Sequence, residues 1–160
     1  MGENRKNDSI LTIGLWSQAM ALVLGISLHA SALLSGRALF YTKIFTPALD
    51  LLFVPLITVG GLLGIWGQIA SPVASRGLRY AGLAVSAYFA ISIPLHLKTL
   101  LLWSTAHFTS FPERYSLFII PIQIVFILIV AGCLRALQAT QADRDSQPQQ
   151  LGGVSAAGAH

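Results

Sequence analysis

The feature that most constrains this chain is the spacing of its charges. They fall at Glu3, Arg5, Lys6 and Asp8, at Arg37, Lys43 and Asp50, at Arg76 and Arg79, at Lys98, Glu113 and Arg114, and from Arg135 onward. Between them lie four charge-free apolar stretches, 9–36, 51–75, 80–97 and 115–134. A helix rises 1.5 Å per residue, so about 20 apolar residues cross the ~30 Å hydrocarbon layer of a bilayer. Each stretch is near that length. The third is the shortest, but Leu100, Leu101, Leu102 and Trp103 extend it while Lys98 reaches its ammonium back to water.

Composition agrees. Only 10% of the 160 residues are charged and 54% are hydrophobic, whereas a soluble domain carries roughly 25% charged residues to face water. Lipid must solvate much of the surface. The pattern predicts an all-α fold, an integral membrane four-helix bundle with spans at about 10–35, 49–71, 79–103 and 115–137. Residues 1–137 form one transmembrane domain. Residues 138–160, polar and rich in Gly and Ala without apolar period, are expected to be a disordered cytoplasmic tail.

The net charge of +4 does not point to nucleic acid, because the basic residues flank the spans rather than forming a patch interleaved with aromatics. The single Cys133 excludes an internal disulfide and any CxxC site, and reads as a small packing residue. A cleavable secretory signal is a competing reading of the N-terminus, given its basic start and Ala30-Ser31-Ala32. The apolar run is longer than such signals use, and it continues through Leu33 and Leu34.

Basic residues concentrate on the cytoplasmic side of membrane proteins. With the N-terminus inside, the inner segments hold Arg5, Lys6, Arg76, Arg79, Arg135 and Arg144, against Arg37, Lys43, Lys98 and Arg114 outside. That excess predicts both termini in the cytoplasm of a bacterial-type inner membrane. Trp16 and Trp66 then anchor the inner interface, with Tyr41 and Trp103 at the outer one.

Between lipid-embedded helices, contact faces are marked by small and polar residues. Ser17, Ala21, Gly25 and His29 recur every fourth position in the first span, and Ala84, Tyr88, Ser92 and His96 in the third. Gly60 and Gly64 make a GxxxG pair in the second, continued by Gln68; Ser116 and Gln123 share a face of the fourth. These are the expected packing surfaces, with a self-dimer through Gly60 and Gly64 as an alternative use.

His29 and His96 end their stripes at similar depth, near the outer edge of the hydrocarbon, where an ionisable group is a functional candidate. Asp50 begins the second span on that side, and Glu113 lies in the third loop. Pro55, Pro94 and Pro121 fall in the outer halves of three spans and predict a splayed outer mouth. His107 is expected in a hydrated loop.

His29, Asp50, His96 and Glu113 admit several uses. They could be interfacial structure, with Asp50 capping its helix. They could line an outward-facing pocket for a quinone or lipid, where histidine exchanges protons near neutral pH. Two histidines at equal depth could ligate haem, although no HExxH, ExxH or paired HxxxH motif supports a metal. A transport pore lacks any charge at mid-bilayer.

The Gly-rich second span (GGLLGIWG), the basic turn into the third (SRGLRYAGLA) and the histidine near its end (IPLHL) give residues 10–137 an arrangement that resembles the DoxX-like four-helix bacterial membrane proteins. The resemblance implies a role beside respiratory or redox complexes and transfers no catalytic residue. The expected function is therefore a non-enzymatic accessory or scaffold subunit of an electron-transfer complex, packed against other membrane subunits or its own copies. The alternative is a redox or small-amphiphile protein that binds quinone, lipid or haem in the His/Asp pocket.

Overall fold

A computed structural model describes residues 3–36, 39–71, 75–111 and 114–154. Four helices carry the chain: α1 (Glu3–Ser35), α2 (Pro47–Ala70), α3 (Arg76–Leu102) and α4 (Tyr115–Val154). All four are long and apolar enough to cross a membrane. A π-helical turn, Phe40–Ile44, lies in the first connection, and a 3₁₀ turn, Ala106–Ser110, in the third.

Local chemistry sets the helix ends. Thr46, in extended conformation, precedes Pro47 at the first position of α2, where proline's missing N–H costs nothing. Ser75 caps α3 by accepting from the Leu78 amide at 3.2 Å. Trp103 ends α3 in a left-handed conformation (φ 47°), and the Ser104 amide turns back to donate to the Thr99 carbonyl at 3.1 Å. Within α2, Pro55 cannot donate, and a π-helical turn follows at Val59–Leu63. The span continues unbroken through both features. Pro55, Pro94 and Pro121 all sit on the exposed side of their helices.

The helices pack in a ring, α1 against α2 and α4, and α3 against α2 and α4. Their directions alternate. The end of α1 meets the start of α4 at His29 and Ser116, and the start of α2 meets the end of α3 at Asp50 and His96. At the opposite pole Asp8 meets Ser71 and Arg144. The core between them holds Leu11, Leu15, Leu22, Ile57, Val85, Phe89 and Val130. Trp16, Met20, Leu62, Trp66, Ile91, Phe118 and Leu128 face outward, as a lipid-solvated surface requires.

The backbones of α1 and α2 touch closely. A Cβ on Gly14 would stand 2.7 Å from the Gly64 amide nitrogen, nearer than atoms can approach. Gly60 and Gly64 are buried within this chain beside Gln18, so the pair packs inside the bundle. Ala21 and Gly25 are buried, and Ser17, Tyr88 and Ser92 are half-buried. Ala84 faces outward, while Val85 and Ser86 turn in. Residues four apart on a helix advance 40° beyond a full turn, so a four-residue stripe drifts off the interface at its end.

Polar side chains bridge the bundle at mid-height. Gln18 is fully buried, and its amide donates to the Gly60 carbonyl at 2.7 Å and to Ser86 Oγ at 2.8 Å. Nearer the Asp8 pole, Gln68 Nε2 lies 3.5 Å from Cys133 Sγ, and both are buried.

The fourth helix departs from expectation. Instead of a disordered tail from residue 138, α4 runs on to Val154. Ala136, Leu137, Gln138 and Ala139 are good helix formers, and two ion pairs tie the extension to α1. Arg144 reaches Asp8 at 2.5 Å, and Arg5 reaches Asp145 at 3.0 Å. Asp8 is almost wholly buried there and also accepts from Ser71 Oγ.

Candidate functional site

At the end of the bundle bearing the two aromatic loop turns, a cavity lies between all four helices, with about 120 Å³ open to the centre of a water molecule. Phe40 and Phe45 of the first loop and Phe108 and Phe111 of the third cover it, and Ile57 lies deeper. An apolar cavity of about 150 Å³ takes up a benzene molecule. The room here is that of one ring, not of a porphyrin.

His29 and His96 both line this cavity. His29 Nδ1 shares a hydrogen bond with Ser116 Oγ at 3.1 Å, and its ring stands edge-on to Tyr115 at 5.7 Å. His96 is held more tightly. Its Nδ1 lies 2.8 Å from Asp50 Oδ1, and its ring stacks on Phe53 at 5.1 Å with planes 9° apart. Phe45 and Phe108 close round it at 6.4 and 5.3 Å. Asp50 stands behind His96 with no solvent exposure, and its Oδ2 has no hydrogen-bond partner among the described residues. The start of α2 therefore supplies the carboxylate and the end of α3 the imidazole. Glu113 lies outside the described residues.

The structure thus brings His29, His96 and Asp50 to one site. It adds groups that sequence reasoning left as packing residues. Gln123 is buried in the cavity wall and donates through Nε2 to the Tyr88 hydroxyl at 3.2 Å, while its Oε1 has no partner among the described residues. Gly25 makes room for it, since a Cβ there would meet Gln123 Nε2 at 3.0 Å. Ser92, a turn before His96, commits its proton to the Tyr88 carbonyl at 2.8 Å. The available signal was the aromatic content of the two loops, Phe40, Tyr41 and Phe45 in one and Phe108 and Phe111 in the other.

His107 corrects an expectation. It is half-buried, and its Nε2 donates to the Leu95 carbonyl at 3.1 Å and lies 3.4 Å from Thr99 Oγ1. The 3₁₀ turn folds it back onto α3, so it secures the loop that carries Phe108 over the cavity.

No family model, curated protein or solved structure matches this chain. The structure supports four apolar helices in a bundle, with no DoxX-like identity shown, and what the site does must be read from its own chemistry. Among the described residues no three His, Cys, Asp or Glu side chains gather as a metal site would need.

Proposed function

We propose that this multi-pass membrane protein holds the ring of a small amphiphilic molecule, of quinone type, in the histidine cavity. One observation carries the reading. A cavity the size of a single ring is walled by aromatic side chains and carries two histidines, one anchored by a buried carboxylate. Apolar walls with a few fixed polar groups are what such ligands require, and a lipid-soluble ligand reaches a site between helices from the bilayer. A haem would need far more room, so bis-imidazole ligation finds less support than a ring.

An accessory place beside larger electron-transfer subunits agrees with this use, because a protein that holds a quinone is useful next to one that reduces or oxidises it. The orientation belongs to the same proposal: both termini lie in the cytoplasm of a bacterial-type inner membrane, and the cavity opens near the outer face. The six-to-four excess of basic residues supports it.

Calorimetric titration of the purified protein in lipid nanodiscs with 2,6-dimethyl-1,4-benzoquinone tests the binding. Saturable uptake is expected, and Ser92→Trp, which fills the cavity, should abolish it. Heat indistinguishable from partition into empty nanodiscs would overturn the reading. For orientation, single cysteines at Ser104 and Ser146 are introduced with Cys133 replaced. An impermeant reagent should label position 104 in intact cells; labelling of 146 instead reverses the topology.

A further inference from the structure

We infer that the cavity grips a ring through two oxygens at its opposite ends, one at His29 Nε2 and the other at His96 Nε2, so that the ligand joins the α1–α4 pair to the α2–α3 pair. This rests on the ring-binding reading above and adds which groups hold the ring and from which sides.

The helices stand in a ring, so the seam between α1 and α4 lies opposite the seam between α2 and α3. Each seam ties down one imidazole by the same atom. Ser116 of α4 engages His29 Nδ1 at 3.1 Å, and Asp50 of α2 engages His96 Nδ1 at 2.8 Å. Nε2 lies on the far side of an imidazole from Nδ1, so each ring turns Nε2 away from its seam. Both histidines line the cavity. Neither Nε2 has a partner among the described residues, and neither is sealed from open space as Asp50 Oδ2 and Gln123 Oε1 are. Tyr115, Phe111 and Phe108 separate the two imidazoles along the cavity wall, in a chain of ring contacts at 5.7, 5.0, 6.1 and 5.3 Å. The histidines thus stand at two ends of one space.

The other polar groups of the wall are occupied or closed off. Ser92 donates to the Tyr88 carbonyl, Ser116 is engaged by His29, and the Tyr88 hydroxyl accepts from Gln123. Tyr41 packs edge-on against Phe40 and Phe45 in the cover. Tyr115 stands between His29 and Phe111, and its hydroxyl is the alternative partner for an oxygen at the His29 end.

The tautomers of the histidines do not enter. An imidazole nitrogen either donates or accepts, and a hydroquinone hydroxyl does both. A ring with one oxygen leaves one imidazole bare, and a buried hydrogen bond left unmade costs about tenfold in affinity. Two oxygens that are not opposite leave the same gap.

The test is anaerobic calorimetry in nanodiscs, with partition into empty nanodiscs subtracted. 2,6-Dimethylhydroquinone should bind about tenfold more tightly than 2,6-dimethylphenol or 3,5-dimethylphenol, each of which lacks one of its hydroxyls. It should exceed 2,5-dimethylresorcinol, whose hydroxyls are not opposite, by a similar factor. Asparagine and glutamine separate the roles of the two ring nitrogens. An Asn amide replaces Nδ1 and keeps the seam, whereas a Gln amide replaces Nε2 and reaches the ring. His29→Asn and His96→Asn should each reduce the advantage over the monophenols to about onefold, His29→Gln should keep part of it, and Tyr115→Phe should leave it unchanged. The comparison of the four compounds on the wild type needs no variant to fold. Equal binding of the hydroquinone and the monophenols there overturns the inference and leaves ring binding intact. An advantage that survives in either Asn variant, or is lost in Tyr115→Phe, also overturns it. Binding of none of the four compounds defeats the ring-binding reading itself.

Discussion

At the residue scale, the Asp50–His96 pair shows why a buried polar pair is judged by its partners as well as its length. The two atoms are 2.8 Å apart, yet among the described residues only one carboxylate oxygen has a partner. Removing one partner leaves the other stranded, at a cost of about 3–5 kcal/mol, whereas replacing both with apolar groups is often neutral. His96→Leu alone should therefore lower thermal stability in detergent strongly, and Asp50→Leu/His96→Leu should recover most of it. Additive losses in that cycle would show that the two side chains do not act as a unit. His107 gives a milder expectation. Its bond to the Leu95 carbonyl fixes the loop rather than the core, so His107→Leu should cost about 1 kcal/mol. Exchange protection of amides 106–110 should fall before that of the helices.

At the element scale, the contact of α1 with α2 is a backbone contact. Gly14 has no room for a methyl group against Gly64. Gly14→Ala should push the helices apart at a cost of about 1–3 kcal/mol, despite alanine's better helix propensity. A variant as stable as the parent would mean that α1 and α2 can slide to relieve the clash. The opposite pole is held differently, by charges. Asp8 receives Ser71 and Arg144, and Arg5 pairs with Asp145 on the surface. The exposed pair is worth little, so the buried Asp8 carries the clasp. Asp8→Ala should free the extension of α4, and trypsin should then cut after Arg144 far faster than in the wild type, with the cut after Arg135 unchanged.

At the scale of the whole molecule, the bundle has two unlike ends. One closes through ion pairs, and the other leaves room beneath an aromatic cover. The antiparallel ring of helices creates that contrast, because it gathers the end of α1, the start of α2, the end of α3 and the start of α4 at one pole. Since Gly60 and Gly64 are spent inside the chain, Gly60→Leu should impair folding of the single chain and should not act by weakening self-association. Crosslinking and denaturation of the same samples would separate the two effects.

Four apolar stretches separated by charges left the chain no alternative to four helices, because in hydrocarbon every backbone N–H and C=O must be satisfied within its own segment. The similar depth of His29 and His96 was legible for the same reason, since rise per residue is fixed. Which face each residue turns inward was only partly legible. A four-residue stripe drifts, so Ala84 left the interface while Gln18 and Ser86, outside any stripe, met at its centre. The continuation of α4 beyond residue 138 was hidden because its anchors, Asp8 and Arg5, lie more than a hundred residues away. Long-range pairs decided the site as well. Asp50 finds His96 across 46 positions, His29 finds Ser116 across 87, and Gln123 finds Tyr88 across 35. Local periodicity places each of those side chains at a height on its own helix, but only the packing of one helix on another brings a donor to its acceptor.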